Sequence, residues 1–300
     1  MLLKQNLTLY RVIKITWRID LAMIALCAIA YYVDTYIFPS LKIPGALPTL
    51  VGTALAFFIG FSNNEAYNRW WEARIIWGGL VNDSRTWARN LLFYTDKKDV
   101  EVRAICRRMI FRHIAFLYAL KGALRKHAQD ESYKQYLLED EVDRIERHLN
   151  KPSAILDLQS DDLQYLSNRG VIDGFRFLTL NEMIKNFCDG MGKSERINNT
   201  VFPTQYIYFT RLFIWFLVVL LTMTLSQEIG PTAILFGWMI GFVFHATHTN
   251  GMSIMNPFEY EAPAIPLDSI TRTIEINLLQ TLEERNIPMP IESVNGEFIL

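Results

Sequence analysis

One helical pattern, in residues 51–77, constrains the fold of this chain more than any other feature. Residues 51–61, VGTALAFFIGF, are apolar and uncharged, and residues 62–77, SNNEAYNRWWEARIIW, continue with polar, aromatic and basic side chains. No proline or cluster of turn residues separates the two parts, so the pattern predicts one continuous helix that begins in lipid and ends in water. Several copies of such a helix around a shared axis would form a pore.

Composition narrows the class of protein. The 300 residues are 51% hydrophobic and 20% charged, and the apolar residues concentrate near the two ends of the chain. The net charge of −1 argues against a nucleic-acid partner, because no basic excess is present to neutralise phosphates. The three cysteines lack a CxxC spacing and are interpreted as reduced thiols. The N-terminus has no small-residue cleavage site, which favours a retained first membrane helix over a cleaved signal peptide.

Four segments approach the roughly 20 residues that a bilayer requires. They are Ile19–Phe38, Ile43–Phe61, Tyr206–Leu225 and Ile229–His248. The second and fourth are rich in glycine, alanine and threonine, which favours close packing between helices. We therefore predict an all-α membrane protein with four transmembrane helices that contacts membrane lipid. A soluble protein with four buried helices is the alternative.

Loop charges predict the orientation of these spans. Residues 62–205 contain 22 of the 30 lysines and arginines, whereas the two short connections between paired spans contain only Lys42. By the positive-inside rule, the long insert and both termini are cytoplasmic, in the inner membrane of a bacterium. The predicted organisation is a cytoplasmic N-terminal segment (1–18), two transmembrane helices (19–61), a cytoplasmic helical domain (62–205), two further transmembrane helices (206–248) and a cytoplasmic C-terminal segment with a closing helix (249–300).

The insert and the tail have helical rather than strand periodicity. Helices are predicted over Val100–Lys126 and Glu139–Leu149, and Pro152 and Gly170 are predicted to interrupt the helical pattern. The tail is predicted to form a helix over Asp268–Arg285 that Pro288 and Pro290 stop.

Few residues carry recognisable enzyme chemistry. The GMGKS sequence at 190–194 resembles a phosphate-binding loop, but Phe187 occupies the position of its first glycine. His245 and His248 could share a helix face for a metal, but no carboxylate or thiolate completes the set, and histidines with backbone partners are the favoured interpretation. Arg211 is the one charge well inside a predicted span, and we expect it to reach the interface from a helix that begins nearer Phe209. The sequence predicts no enzyme, no metal site and no cofactor.

The second predicted span has a distinctive stripe. Thr53, Phe57 and Phe61 recur every four residues and fall on one helix face. Copies of this helix around an axis would stack one hydroxyl ring and two aromatic rings, and aromatic rings can gate by wetting and dewetting. Phenylalanine edges are the positive part of the ring quadrupole and favour an anion. The alternative is that Phe57 and Phe61 pack against neighbouring helices.

Further residues carry a resemblance to a known family. Five segments of the chain resemble the bestrophin family of ion channels. They are GFSN at 60–63, YNRWWEAR at 67–74, RINNTVFPTQY at 196–206 with its Pro-x-x-Tyr element, NPF at 256–258 and PLD at 266–268. The resemblance covers nearly the whole chain and implies a homopentamer with a central pore lined by the second helix. It implies a neck at Thr53, Phe57 and Phe61, where Thr53 departs from the family's usual apolar residue.

The same resemblance implies a second, cytoplasmic constriction, which we place at Phe175, with Phe177 as the neighbouring choice. Eukaryotic bestrophins follow their NPF sequence with a dense acidic run that binds calcium. Here only Glu259 and Glu261 follow, fewer oxygens than the 6–8 that calcium usually takes, so calcium is not expected as a cofactor.

The expected function is therefore a bestrophin-like pentameric channel that passes small inorganic anions, chiefly chloride, through a hydrophobic neck. A cation-selective channel of the same architecture, passing sodium, is the first alternative. A secondary transporter would require broken helices and an inverted repeat, which the sequence lacks. A membrane-anchored helical interaction protein is the remaining alternative.

Overall fold

The computed structural model describes residues 9–96, 98–125, 131–294 and 298, with side chains from Thr16 onward. These residues form α1 (Leu9–Tyr32, continued by a π-helical segment Val33–Ile37), α2 (Ala46–Tyr94), α3 (Val100–Leu124), α4 (Glu139–Glu146), α5 (Lys151–Asn168), α6 (Gly174–Asn199), α7 (Thr204–Ile229), α8 (Thr232–Met252) and α9 (Leu267–Thr281). Over the described residues the fold is all-α, as predicted, and one isolated bridge pairs Val294 with Phe298. Lys126 and residues 1–8 of the predicted N-terminal segment lie outside this range.

The chain packs as two units. Within the described residues, an apolar unit consists of the chain from Leu9 to Arg69 together with Val201–Asn256, and a polar unit consists of Trp70–Thr200 and the residues from Pro257 onward. These limits follow the packing of the chain, and they differ by five to eight residues from the predicted domain limits at 61, 205 and 248, which follow hydropathy.

The continuous helix predicted from residues 51–77 is confirmed and is longer than predicted. Helix α2 has 49 residues, which corresponds to a length of about 74 Å at 1.5 Å per residue. That length is more than twice the roughly 30 Å hydrocarbon core of a bilayer. Much of this helix would therefore project out of a membrane that its apolar part spans.

The apolar unit is built from α1, the first part of α2, α7 and α8. Its core is formed by Met23, Cys27, Leu55, Ile59, Ile214, Leu217 and Val218. Among the described residues, three helical segments are long and apolar enough to cross a membrane: Thr16–Ile37, α2 and α7. Helix α8 forms where the fourth span is predicted, but its polar end, HATHTN, lowers its average hydropathy.

The polar unit is built around α3, most of whose residues are buried. The other helices of this unit are the second part of α2, α4, α5, α6 and α9. Arg112 of α3 is 6% exposed, and its guanidinium donates to Glu141 at 2.9 Å and to Asp162 at 2.8 Å. A buried cation thus has two carboxylate partners, which joins α3 to α4 and α5.

Local signals set several helix ends. Asp99 and Asp173 accept backbone N–H groups at the N-termini of α3 and α6. Gly170, with a φ of 67°, follows the end of α5.

The predicted end of α9 is wrong, because the helix stops at Thr281 rather than Arg285. Glu283 there has a φ of 57°, and Glu284 N donates to Leu279 O at 3.0 Å. This geometry ends the helix before Pro288 is reached.

Candidate functional site

The three residues expected to line a pore lie on one exposed face of α2. Thr53 is exposed, and Phe57 and Phe61 are 71% and 47% accessible. Leu55 and Ile59, on the opposite face, are almost completely buried in the core of the apolar unit. We call Thr53, Phe57 and Phe61 the exposed stripe. Helix α2 packs against the rest of the apolar unit through its opposite face, so the residues of the exposed stripe remain accessible in a single chain.

Tyr206 supports one of the two aromatic residues in the exposed stripe. Its ring centroid lies 6.4 Å from that of Phe61 and 6.2 Å from that of Phe58. Its backbone N–H donates to Pro203 O at 3.0 Å, so the Pro-x-x-Tyr element starts α7 and positions the ring. Phe61 therefore contacts a ring of α7 on one side. The sequence contains this element, but no pattern in it indicates that Tyr206 contacts Phe61.

Phe57 has less support than Phe61. Its one ring contact among the described residues is with the adjacent Phe58, at 6.1 Å and an interplanar angle of 74°. With 71% of the residue accessible, the Phe57 ring has space to change its rotamer, whereas Phe61 is restrained by Tyr206.

Threonine hydroxyls extend the exposed stripe by one helical turn. Thr53 Oγ1 donates to Thr49 O at 2.8 Å, and Thr49 Oγ1 donates to Gly45 O at 2.9 Å. Each hydroxyl hydrogen is therefore directed at the backbone, and the exposed part of each oxygen is its lone pairs. These two residues offer acceptors rather than donors to a neighbouring ion.

The residues after Phe61 fix α2 within the apolar unit. Asn63 Nδ2 donates to Thr247 O at 3.1 Å, and a side chain at Gly251 would place its Cβ 1.8 Å from Asn63 Oδ1. Arg69 Nε donates to Met255 O at 3.2 Å. The GFSN sequence and the arginine of YNRWWEAR thus join α2 to α8 and to the turn that follows it.

The later part of YNRWWEAR plays the same role within the polar unit. Trp70 Nε1 donates to Pro263 O at 3.0 Å, and Glu72 forms an ion pair with Arg196. Trp77 is completely buried. The motif is therefore a scaffold for α2, while the exposed stripe precedes it.

Of the two residues considered for a second constriction, Phe175 is the exposed one. It lies in the first turn of α6 and is 85% accessible. Phe177 is half-buried and packs against the core of the polar unit. Phe175 belongs to the polar unit and the exposed stripe to the apolar unit.

The candidate metal ligands do not converge. Within the described part of the chain, no group of three or more histidine, cysteine, aspartate or glutamate side chains is arranged to hold a metal ion. His248 is buried, and neither of its ring nitrogens has a hydrogen-bond partner among the described residues. His245 Nε2 lies 3.4 Å from the hydroxyl of Thr249. The described residues provide none of the backbone partners that were expected for these two histidines.

The expected helix start near Phe209 is also wrong. Helix α7 begins at Thr204 and places Arg211 about two turns inside it. The earlier start follows from the turn between Pro203 and Tyr206.

Comparison with known proteins identifies the family. A sequence profile described as Bacterial/Fungal Bestrophin protein matches residues 10–280. The voltage-dependent anion channel-forming protein YneE of Escherichia coli is 27% identical over 278 residues, which cover 93% of this chain and 90% of that protein. The Salmonella typhi protein of the same name is 27% identical over 276 residues, covering 92% and 89%.

A solved structure shows the same fold. The bacterial bestrophin homolog from Klebsiella pneumoniae matches with a TM-score of 0.82 and 24% identity, over 89% of this chain and 98% of that chain. The fold and the length of the profile match lead to one conclusion: this protein is a member of the bacterial and fungal bestrophin family.

Proposed function

We propose that this protein is a passive, pentameric ion channel of a bacterial inner membrane that conducts small anions, chiefly chloride. Relatives that align with most of the chain are named as voltage-dependent anion channel-forming proteins. Family membership makes the protein a channel rather than an enzyme. No cofactor and no calcium ion is required in this proposal.

The exposed stripe is the observation that carries the proposal. Two phenylalanines and a threonine on one face of an apolar helix remain exposed among the described residues, although Tyr206 contacts Phe61. Five copies of α2 around an axis would turn this face into a hydroxyl ring at Thr53 and aromatic rings at Phe57 and Phe61. Such a neck opposes the passage of hydrated ions by dewetting and conducts when it is wet. Phenylalanine edges directed at the lumen favour an anion.

The proposed topology has four spans: α1, the apolar part of α2, α7 and α8. Helix α8 has 21 residues, enough to cross a bilayer at about 1.5 Å per residue. The basic residues of the insert favour a cytoplasmic location for the insert and for both termini. Phe175, exposed at the start of α6, is proposed as the second constriction on that side.

Reconstitution into liposomes tests the channel. We expect uncoupled ion flux, with a reversal potential in asymmetric NaCl close to the chloride equilibrium potential. Well-folded protein that gives no flux would instead favour a membrane-anchored interaction protein. A saturable, coupled flux at transporter rates would also contradict the proposal.

Phe57→Ala tests the neck. Removing the least supported ring of the exposed stripe should lower the dewetting barrier and raise flux about tenfold if that barrier falls by about 1.4 kcal/mol. Phe216→Ala is the matched control, because Phe216 is an aromatic residue of the same unit, is 50% exposed and lies on α7. Equal flux in both variants would place the neck elsewhere.

One observation favours the second candidate, a sodium-selective channel. The hydroxyls of Thr49 and Thr53 donate hydrogen bonds to backbone carbonyls. A ring of these threonines would therefore present oxygen lone pairs, which suit a cation. A reversal potential close to the sodium equilibrium potential would support this candidate. In that case Thr53→Val should reduce sodium flux, because it removes the exposed oxygen and keeps the shape of the side chain.

A further inference from the structure

A cavity of about 250 Å³ opens within the apolar unit between α1, α7 and α8. Its polar lining is formed by Arg211, His245 and Thr249, and its apolar lining by Ile19, Ile214 and Trp215. Thr16 completes the wall. The cavity thus combines one cation and uncharged polar groups with an apolar surface, and none of these lining residues is acidic.

Arg211 is the cation of this cavity. It lies about two turns inside α7, a helix in which it is the one charged residue before Glu228. Its side chain is exposed, and among the described residues its guanidinium has neither a hydrogen-bond partner nor an ion-pair partner. An arginine so deep in an apolar helix is costly unless an anion or water satisfies its five donors.

The other polar groups of the cavity lie beside this arginine as a second, independent feature. His245 and Thr249 are one turn apart on α8, and His245 Nε2 lies 3.4 Å from Thr249 Oγ1. On α1, the Thr16 hydroxyl donates to Asp20 Oδ2 at 2.7 Å. Asp20 is 8% exposed, and no ion pair joins it to Arg211 within the described chain. As far as the described residues go, the guanidinium therefore remains available to an external anion.

We infer that this cavity binds the phosphate group of a phospholipid headgroup from the cytoplasmic leaflet. Arginine matches the two oxygens of a phosphate with paired N–H donors, and Thr249 and His245 supply further hydrogen bonds. Ile19, Ile214 and Trp215 offer an apolar wall to the glycerol and the first methylenes, and tryptophan favours this depth of a bilayer. Basic pockets between membrane helices on the cytoplasmic side bind phosphorylated lipid headgroups in this way. The inference rests on the proposed topology, which puts the start of α7 at the cytoplasmic interface.

Native mass spectrometry of the full chain in neutral detergent tests this site. The probes are dioleoyl phosphatidylglycerol, dioleoylglycerol, which has the same chains and no phosphate, and inorganic phosphate. We expect phosphatidylglycerol to bind at least about tenfold more tightly than dioleoylglycerol. Arg211→Gln should remove that preference, and Arg211→Lys should keep part of it.

Arg18→Gln is the matched control, because Arg18 is an exposed arginine of the same unit that lies outside the cavity lining. It removes the same charge and should change phosphatidylglycerol binding less than about twofold. If Arg211→Gln fails to fold, Thr249→Val provides the second test, and it should weaken binding several-fold.

Three outcomes overturn the inference. They are equal phosphatidylglycerol binding by Arg211→Gln and wild type, equal binding of dioleoylglycerol and phosphatidylglycerol, and an equal loss of binding in Arg18→Gln. Binding of inorganic phosphate as tight as that of the lipid overturns the lipid source and leaves an anion site. Ion flux in liposomes is measured in a separate experiment. A failure of the proposed channel function can therefore be distinguished from a failure of the proposed lipid site.

Discussion

His113 is a neutral imidazole enclosed in the core of the polar unit. Its ring centroid lies 4.1 Å from that of Phe187 and 5.7 Å from that of Phe116. Its Nε2 lies 2.8 Å from Ser84 Oγ, and the residue has no exposed surface. Burial disfavours the charged form, which lowers the pKa of His113 from 6.5 to about 3.

This lowered pKa predicts an acid sensitivity. Between pH 6.5 and about pH 3, the unfolded chain binds a proton that the folded chain does not, so the free energy of unfolding falls as the pH decreases. The loss should be about 2 kcal/mol between pH 7 and pH 5. Thermal unfolding of the full chain in detergent, followed at several pH values, measures it as a fall in Tm.

His113→Asn removes the titrating group, so its Tm should depend less on pH than that of wild type even if it is lower throughout. His148→Asn is the control, because His148 is an exposed histidine of the same unit and should leave the pH dependence unchanged. Parallel Tm curves for wild type and His113→Asn would show that this imidazole is not the source of the acid sensitivity.

At the scale of the element, α8 depends on two glycines four residues apart. A Cβ at Gly237 would lie 2.2 Å from Thr222 Oγ1, and one at Gly241 would lie 2.5 Å from Val218 Cγ2 and 2.3 Å from Met23 Sδ. Helix α8 therefore approaches α7 and α1 more closely than a side chain allows. Such small residues permit close packing in a membrane, where apolar side chains gain little from leaving lipid.

Gly241→Ala should destabilise the apolar unit. The added methyl group must displace Val218 and Met23, which costs about 1–3 kcal/mol for an overpacked core. Gly192→Ala in α6 is the matched control, because a Cβ there meets nothing within 4 Å and alanine has the higher helix propensity. We expect a lower Tm for the first variant and an equal or higher Tm for the second. The reverse order would contradict the packing account.

The elements differ in how well the sequence predicts them, and the reason is physical. The continuity of α2 depends on local periodicity, so the sequence was sufficient to predict it. The stripe at Phe57 follows from the same periodicity, but its exposure depends on which face of α2 packs against the neighbouring helices. The end of α9 depends on Glu283 in a left-handed conformation, which no glycine or proline signals. The role of Tyr206 and the cavity at Arg211 depend on contacts between residues far apart in the chain, which a single sequence does not contain.

At the scale of the whole molecule, the polar unit has an apolar surface that the described residues leave about half exposed. Trp71 and Ile75 of α2 are 48% and 59% accessible. One turn further on, Gly78 and Gly79 are exposed, and a Cβ at either position would meet open space. Covering such an apolar surface removes it from water, which lowers the free energy of the protein. In the proposed pentamer, a neighbouring copy covers it, and the two glycines allow the close approach.

Ile75→Arg should therefore disrupt assembly. A charged side chain at a subunit contact is desolvated without a partner, which costs several kcal/mol in each of five copies. We expect light scattering after size-exclusion chromatography in detergent to give five times the 34.9 kDa chain mass for wild type and a smaller mass for the variant. Leu149→Arg makes the same charge change at a fully exposed leucine and should leave the mass unchanged. A wild-type mass in Ile75→Arg would show that this surface is not a subunit contact, whereas a monomeric wild type would contradict the pentamer itself and leave the exposed stripe without a ring to form.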